Sequence, residues 1–257
     1  MRIVIKIGTS TLTYSTGRIN IRRVEKLCKV ISDIKNAGNE VILVSSGAIG
    51  MGVGKLALEG KPDDIPTKQA AAAVGQCELM YIYDREFSDY NHTIAQVLIT
   101  NSDINIPDNH TNFQNTVGKL LDFGAIPIIN ENDTVSTEEI EIGDNDTLGA
   151  IVAVSINADL LIILSDIDGL YTKDPRTNND AYLLTVVEEI NDDIVAMGKG
   201  KGSALGTGGM RTKLNAASIA VDEGIDTIIA NGKDPDILYD ILQGKTVGTK
   251  FVGKKVN

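Results

Sequence analysis

Six short aliphatic, β-branched runs recur along the chain, at residues 2–7 (RIVIKI), 40–44 (EVILV), 93–99 (TIAQVLI), 125–129 (AIPII), 160–164 (LLIIL) and 226–230 (DTIIA). A strand wet on one face alternates apolar with polar residues, whereas runs this continuously apolar need cover on both faces. Amphipathic segments lie between them. In the clearest, residues 21–36, Ile21, Val24, Leu27, Cys28, Ile31 and Ile34 form one helical stripe. The alternation predicts an α/β chain, a three-layer α/β/α sandwich around a central, mostly parallel sheet. Gly38, Gly124 and Gly224 each stand just before a strand, as helix C-caps do. A last short strand is expected in GTKFVG, residues 248–253. No Pro/Ser-rich linker or internal repeat divides the chain, so residues 1–257 are read as a single domain, with two lobes. In such sheets ligands gather at the C-terminal ends of the strands.

Charge narrows what those ligands are. The chain carries 35 Asp and Glu against 24 Lys and Arg, a net charge of −11, without a long basic run. Such a field repels nucleic acid and anionic lipid, and neither is expected as a partner. A bound phosphate must then be held by a local device. No apolar run approaches a membrane span, and Met1 leads directly into the first strand with no leader pattern, so a cytoplasmic protein is expected. Cys28 and Cys77 sit among helical apolar residues and are both read as small buried hydrophobes in a reducing compartment.

Three strand ends carry glycine and hydroxyl residues: KIGTST, VSSGAIGMG and SDIDGLYTKDP. Glycine permits close backbone approach, and successive free N–H groups form anion-binding nests. Lys6 sits near the end of an otherwise apolar strand, where an unpaired charge is costly, so either it reaches an edge or it meets an anion. The glycine-rich residues 198–209 feed a helical pattern in which Met210, Leu214, Ala217 and Val221 share one face. Lys213 then stands in the first turn, against the helix dipole, which a bound phosphate would reconcile. GMGVGKL and GTGGMRTK both miss the G-x-x-x-x-G-K-[ST] spacing, and no G-x-G-x-x-G follows a strand.

The densest polar stretch is INENDTVSTEEIEIGDNDTLGAIVAV, residues 129–154. DNDTLG begins like a calcium loop but lacks the glycine at the sixth position. Asp144 or Asn145 suits the cap of the following helix, yet one cap uses one residue and three stand in a row. Asp146 is the candidate to sit between two lysines, holding both ammonium groups while leaving net positive charge for a phosphoryl group. Asn130 and Asp133 close the strand before it and should face the same sheet edge.

Together the segments VIKIGTSTL, VSSGAIGMG, KQAAAAVGQ, INENDTVST, IGDNDTLGA, SDIDGLYTKDPR and GTGGMRTKLNAA resemble the amino acid kinase superfamily. Within it they resemble the branch that phosphorylates the side-chain carboxylate of free L-glutamate. The resemblance implies ATP as phosphoryl donor with Mg²⁺, an N-terminal lobe for the amino acid and a C-terminal lobe for the nucleotide. It implies that Lys6 and Lys213 flank the transferred group and that Asp146 organises them as the third catalytic residue. It assigns Ser46, Asp133 and Asn145 to the amino acid; Asn130, at the same strand end, is read with them. The nucleotide site it implies comprises Ser165, Asp166, Thr207, Gly208, Gly209, Met210, Arg211, Thr212 and Lys213, with Lys6. It further implies homo-oligomerisation, feedback inhibition by L-proline, and a short form without the C-terminal RNA-modification-type domain of many relatives. The connecting STEEIEI is a candidate lid. A carboxylate acceptor needs no general base, which suits a chain with only His92 and His110. The rival readings are a kinase for N-acetylglutamate or isopentenyl phosphate, and a non-catalytic amino-acid sensor.

Overall fold

The computed structural model describes residues 1–14, 18–60, 62–136, 144–198 and 209–254. In chain order these form β1 (Arg2–Ile7), α1 (Thr9–Leu12), α2 (Ile21–Asn36), β2 (Glu40–Ser45), α3 (Ala48–Lys55), α4 (Ile65–Ser88), β3 (Ile94–Ile99), α5 (Asn101–Asn105) and α6 (Pro107–Asp122). There follow β4 (Ile126–Glu131), α7 (Asn145–Ser155), β5 (Leu160–Ser165), β6 (Val186–Val187), α8 (Asp192–Met197), α9 (Met210–Asp222), β7 (Asp226–Asn231), α10 (Ile237–Leu242) and β8 (Thr249–Phe251). All six aliphatic runs are strands. One sheet contains them in the order β3-β4-β2-β1-β5-β7-β8-β6, and only the β7–β8 pairing is antiparallel.

Strand periodicity divides the core in two. Ile3, Ile5 and Ile7 of β1 pack with Leu27 and Ile31 of α2 and Leu79 and Tyr83 of α4 on one face. Val4 packs on the other with Val117 of α6, Leu148 and Val152 of α7, and Leu214 and Ala217 of α9. Successive side chains of a strand point to opposite faces. Both faces are covered, which is why these strands read as continuous apolar runs. Gly38, Gly124 and Gly224 adopt φ of 91°, 73° and 81° just after α2, α6 and α9, the left-handed conformation that ends a helix.

Helices α3 and α4 approach with no side chain between them. A Cβ on Gly52 would lie 1.8 Å from the Ala71 carbonyl oxygen, and one on Gly75 would lie 1.7 Å from that of Ala48. Only glycine fits at either position. Contrary to the expectation for both cysteines, Cys77 is exposed, whereas Cys28 is buried. On α4 the inward positions go to Ala72, Gly75, Gln76 and Leu79, which turns Cys77 outward with Tyr81, one turn on. Strand β6 has two residues and left no periodic signal.

Candidate active site

Strands β1 and β5 are neighbours, but the chain leaves β1 toward β2 on one side and leaves β5 toward β7 on the other. That divergence opens a crevice at their C-terminal ends, bridged by the Gly8 N–H donating to the Leu164 carbonyl at 3.4 Å. Lys6 has the parity of Val4, so its side chain rises on the α7 side of the sheet, one step before the strand ends. Gly149 of α7 makes room, since a Cβ there would come 3.2 Å from that of Lys6.

The row of three polar residues divides its labour. Asp144 caps α7, its Oδ1 accepting from the N–H groups of Asp146 (2.7 Å) and Thr147 (2.9 Å). Asn145 is thereby aimed toward β2 and β4, and Asp146 toward the crevice. Lys6 Nζ lies 2.6 Å from Asp146 Oδ1, and Lys213 Nζ lies 3.0 Å from Oδ2. Thr212 Oγ1 donates to the same Oδ2 at 2.9 Å. Relative exposure is 7% for Lys6, 1% for Asp146 and 5% for Lys213. Burial pushes the Asp146 carboxyl up, but the charges of Lys6 and Lys213 outweigh it and hold the group below the ordinary aspartate value. Two ammonium groups therefore share one ionised carboxylate. The cluster keeps one unit of positive charge in a nearly dry crevice, and an anion placed there is attracted strongly.

Beside it lies an amide relay. Asn145 Nδ2 donates to Ser46 Oγ at 2.7 Å and to Asn130 Oδ1 at 3.3 Å, and Asn130 Nδ2 donates to Gln76 Oε1 at 3.0 Å. Gly47 permits the turn that presents Ser46, at φ 112°. Asp133 stands in the turn after β4, where burial, then the nearby charge of Glu131, pushes its carboxyl up to about 6. The structure thus brings Ser46, Asn130 and Asn145 into direct contact and sets Asp133 three residues beyond Asn130. Gln76 was not legible in the sequence as a site residue: a glutamine in an alanine-rich helix breaks no local rule.

Beyond the crevice, on the β5–β7 side, a cleft of about 470 Å³ is lined by Asp166, Gly169, Tyr171, Arg176, Met210 and Asn231 among others. Of the residues expected at a nucleotide site, Asp166 and Met210 line this cleft. Ser165 is buried at the end of β5 and donates to Asp166 Oδ1 at 3.3 Å. Gly209 is the N-cap residue of α9, and its carbonyl, 2.8 Å from Thr212 Oγ1, shares that hydroxyl's one proton with Asp146. Thr212 and Lys213 turn to Asp146 instead of the cleft, and Arg211 is exposed. Thr207 and Gly208 lie outside the described residues, as does the expected lid apart from Ser136. Asn231 Nδ2 donates to Asp168 Oδ1 at 2.8 Å, tying the β7 end to the β5 loop. Among the described residues, no group of three or more His, Cys, Asp or Glu side chains suits a metal ion. No helix among them is long and apolar enough to cross a membrane.

Comparison with known proteins adds independent findings. The model of the amino acid kinase family matches residues 1–231. A glutamate 5-kinase from Clostridium perfringens is 57% identical over 258 aligned residues, covering 99% of this chain and 96% of the relative. One from Listeria innocua is 52% identical, covering 99% and 94%. A longer one from Caldanaerobacter subterraneus is 51% identical, with 99% of this chain matching 68% of its length. Among solved structures, a carbamate kinase from Giardia lamblia bound to AMP-PNP superposes with a TM-score of 0.71 at 19% identity, covering 98% of each chain. A UMP kinase from Bacillus anthracis gives 0.66 at 18% identity, covering 99% of this chain and 96% of that one. At those identities the solved structures speak for the fold, a mostly parallel sheet between helical layers.

Proposed function

The chain belongs to the amino acid kinase family, and from that premise we propose that it phosphorylates the side-chain carboxylate of L-glutamate with ATP, giving L-glutamyl 5-phosphate for proline biosynthesis. The observation that carries this reading is 57% identity to a glutamate 5-kinase over 99% of the chain. The crevice supports it chemically. One γ-carboxylate oxygen attacks the γ-phosphorus in line. The new O–P bond forms as the bond to the β–γ bridging oxygen breaks, and that electron pair leaves on ADP. A carboxylate is already ionised at neutral pH, so no general base enters. Catalysis then rests on position and charge.

In this reading Lys6 and Lys213 flank the phosphoryl group, each steered by one oxygen of Asp146. Ser46, Asn130 and Asn145 hold glutamate, and Asp133 pairs with its α-ammonium. The C-terminal half, through Ser165, Asp166 and Gly209 to Lys213, together with Thr207, Gly208 and Lys6, takes ATP. Mg²⁺ would be carried by the ATP held at this half of the chain, where it would supply charge compensation. We read residues 1–257 as one catalytic domain, cytoplasmic and homo-oligomeric, with L-proline as a feedback inhibitor competing at the glutamate pocket.

The test is incubation with Mg-ATP and hydroxylamine, which traps an acyl phosphate as its hydroxamate. Glutamate-dependent hydroxamate is the expected result. Product from N-acetylglutamate but none from glutamate overturns the substrate assignment, and no ATP turnover with any acidic amino acid restores the sensor reading.

Acidity gives a second expectation. Free Asp133 ionises only above about pH 6. Protonation around that value removes the charged partner of the substrate ammonium, so kcat/KM for glutamate should fall about fivefold from pH 6 to 5 and approach roughly tenfold per unit below that. In Asp133→Asn the inflection should vanish, leaving a low, flat profile. A wild-type profile flat through that range removes Asp133 from ammonium recognition.

A further inference from the structure

The amide relay ends on two buried atoms that find no hydrogen-bond partner among the described residues, and they are of opposite kind. Asn130 donates to Gln76 Oε1, while Asn145 spends its Nδ2 hydrogens on Asn130 and Ser46. In the structure each amide of the relay donates in the direction of Gln76. What remains is Gln76 Nε2, a donor without an acceptor, and Asn145 Oδ1, an acceptor without a donor. Gln76 is only 6% exposed. Buried amides are nearly always hydrogen-bonded, and an unfilled one marks a place where something else completes it.

A free amino acid carries both complements on one carbon. Its α-ammonium donates and its α-carboxylate accepts. Lys6 and Lys213 are held on Asp146 and serve the opposite end of the substrate. We propose that Gln76 is a specificity-determining residue of the acceptor pocket, its Nε2 donating to the α-carboxylate, the one that is not phosphorylated. Its Oε1 at the same time sets the orientation of Asn130, and through Asn130 that of Asn145, whose Oδ1 accepts from the α-ammonium. One side chain thus both fixes the relay and reads its ligand. The inference rests on the amino-acid reading above and adds to it the means by which a free α-carboxylate is required.

Gln76→Glu is the informative variant. It is isosteric, keeps an acceptor for Asn130, and replaces the donor with a negative oxygen that repels the α-carboxylate. In the hydroxylamine assay, wild-type protein is offered L-glutamate and its α-amide, in which the γ-carboxylate is free and the α-carboxylate has become a carboxamide. Wild type should favour glutamate by about 100-fold or more in kcat/KM, since a site built around a polar group rejects its analogue strongly. Gln76→Glu should raise KM for glutamate about 100-fold with kcat and the KM for ATP little changed, and should shift preference toward the α-amide. No product from either compound with wild type overturns the kinase reading and this inference with it. Wild-type product from both compounds at equal efficiency, or an unchanged preference in folded Gln76→Glu, overturns this inference alone. If the variant does not fold, the wild-type comparison decides.

Discussion

Lys213→Ala should lower kcat by about 10²–10³ while the protein remains folded. The two halves of this expectation have separate causes. Lys213 Nζ sits 3.0 Å from Asp146 with 5% of the residue exposed, so its charge acts in a site that water hardly screens. A charge aimed at a transferring phosphoryl group acts where negative charge develops, without reorganisation at the moment of reaction. The fold survives because Asp146 keeps Lys6 at 2.6 Å and the hydrogen bond from Thr212, so no buried carboxylate is stranded. Turnover measured by ADP release, beside a thermal melt, checks both halves. A folded variant with wild-type turnover removes Lys213 from the chemistry.

Asp146→Asn should damage stability as well as rate. The substitution leaves two nearly buried ammonium groups facing a neutral amide. Removing one partner of a buried ion pair costs about 3–5 kcal/mol, which for a chain of this size lowers the melting temperature by roughly 10 °C. Turnover should fall at least about 100-fold, because neither lysine is then held in place. Adding Lys213→Met restores the original net charge of the crevice. The double variant should recover much of the lost stability and none of the lost turnover, a non-additive pattern that distinguishes charge balance from catalysis. A melting temperature unchanged in Asp146→Asn contradicts the buried pairing.

What was legible in the sequence were residues that break a local rule. Lys6 interrupts an apolar strand, Lys213 opposes a helix dipole, and Asp144–Asn145–Asp146 supply three polar groups where a cap uses one. Each anomaly became a contact in the crevice. Strands covered on both faces announced themselves by continuous aliphatic runs, so the sandwich was legible too. Gln76 was not, since its neighbours in α4 are small and its own spacing is unremarkable for a helix. Its partner Asn130 is 54 positions away and reaches it only through the sheet. Asp168 and Asn231 similarly meet across 63 positions, so SDIDGLYTKDPR marked one wall of the cleft and left its β7 wall unread. Cys77 failed for a related reason: in a helix this rich in alanine the inward face is set by what the glycines touch, and an apolar stripe does not reveal it.

The backbone contact at Gly52 and Gly75 has a bearing on how finely the acceptor pocket measures length. Most helix pairs are cushioned by side chains that change rotamer and absorb small displacements. Here the helix that follows Ser46 and the helix that carries Gln76 meet carbonyl against α-carbon. A shift of one passes to the other with little damping, so the two walls behave as the jaws of a fixed gauge. The distance between the jaws is then a property of the main chain, and on the glutamate reading proposed above such a gauge suits rejection of aspartate, whose side chain is one methylene shorter.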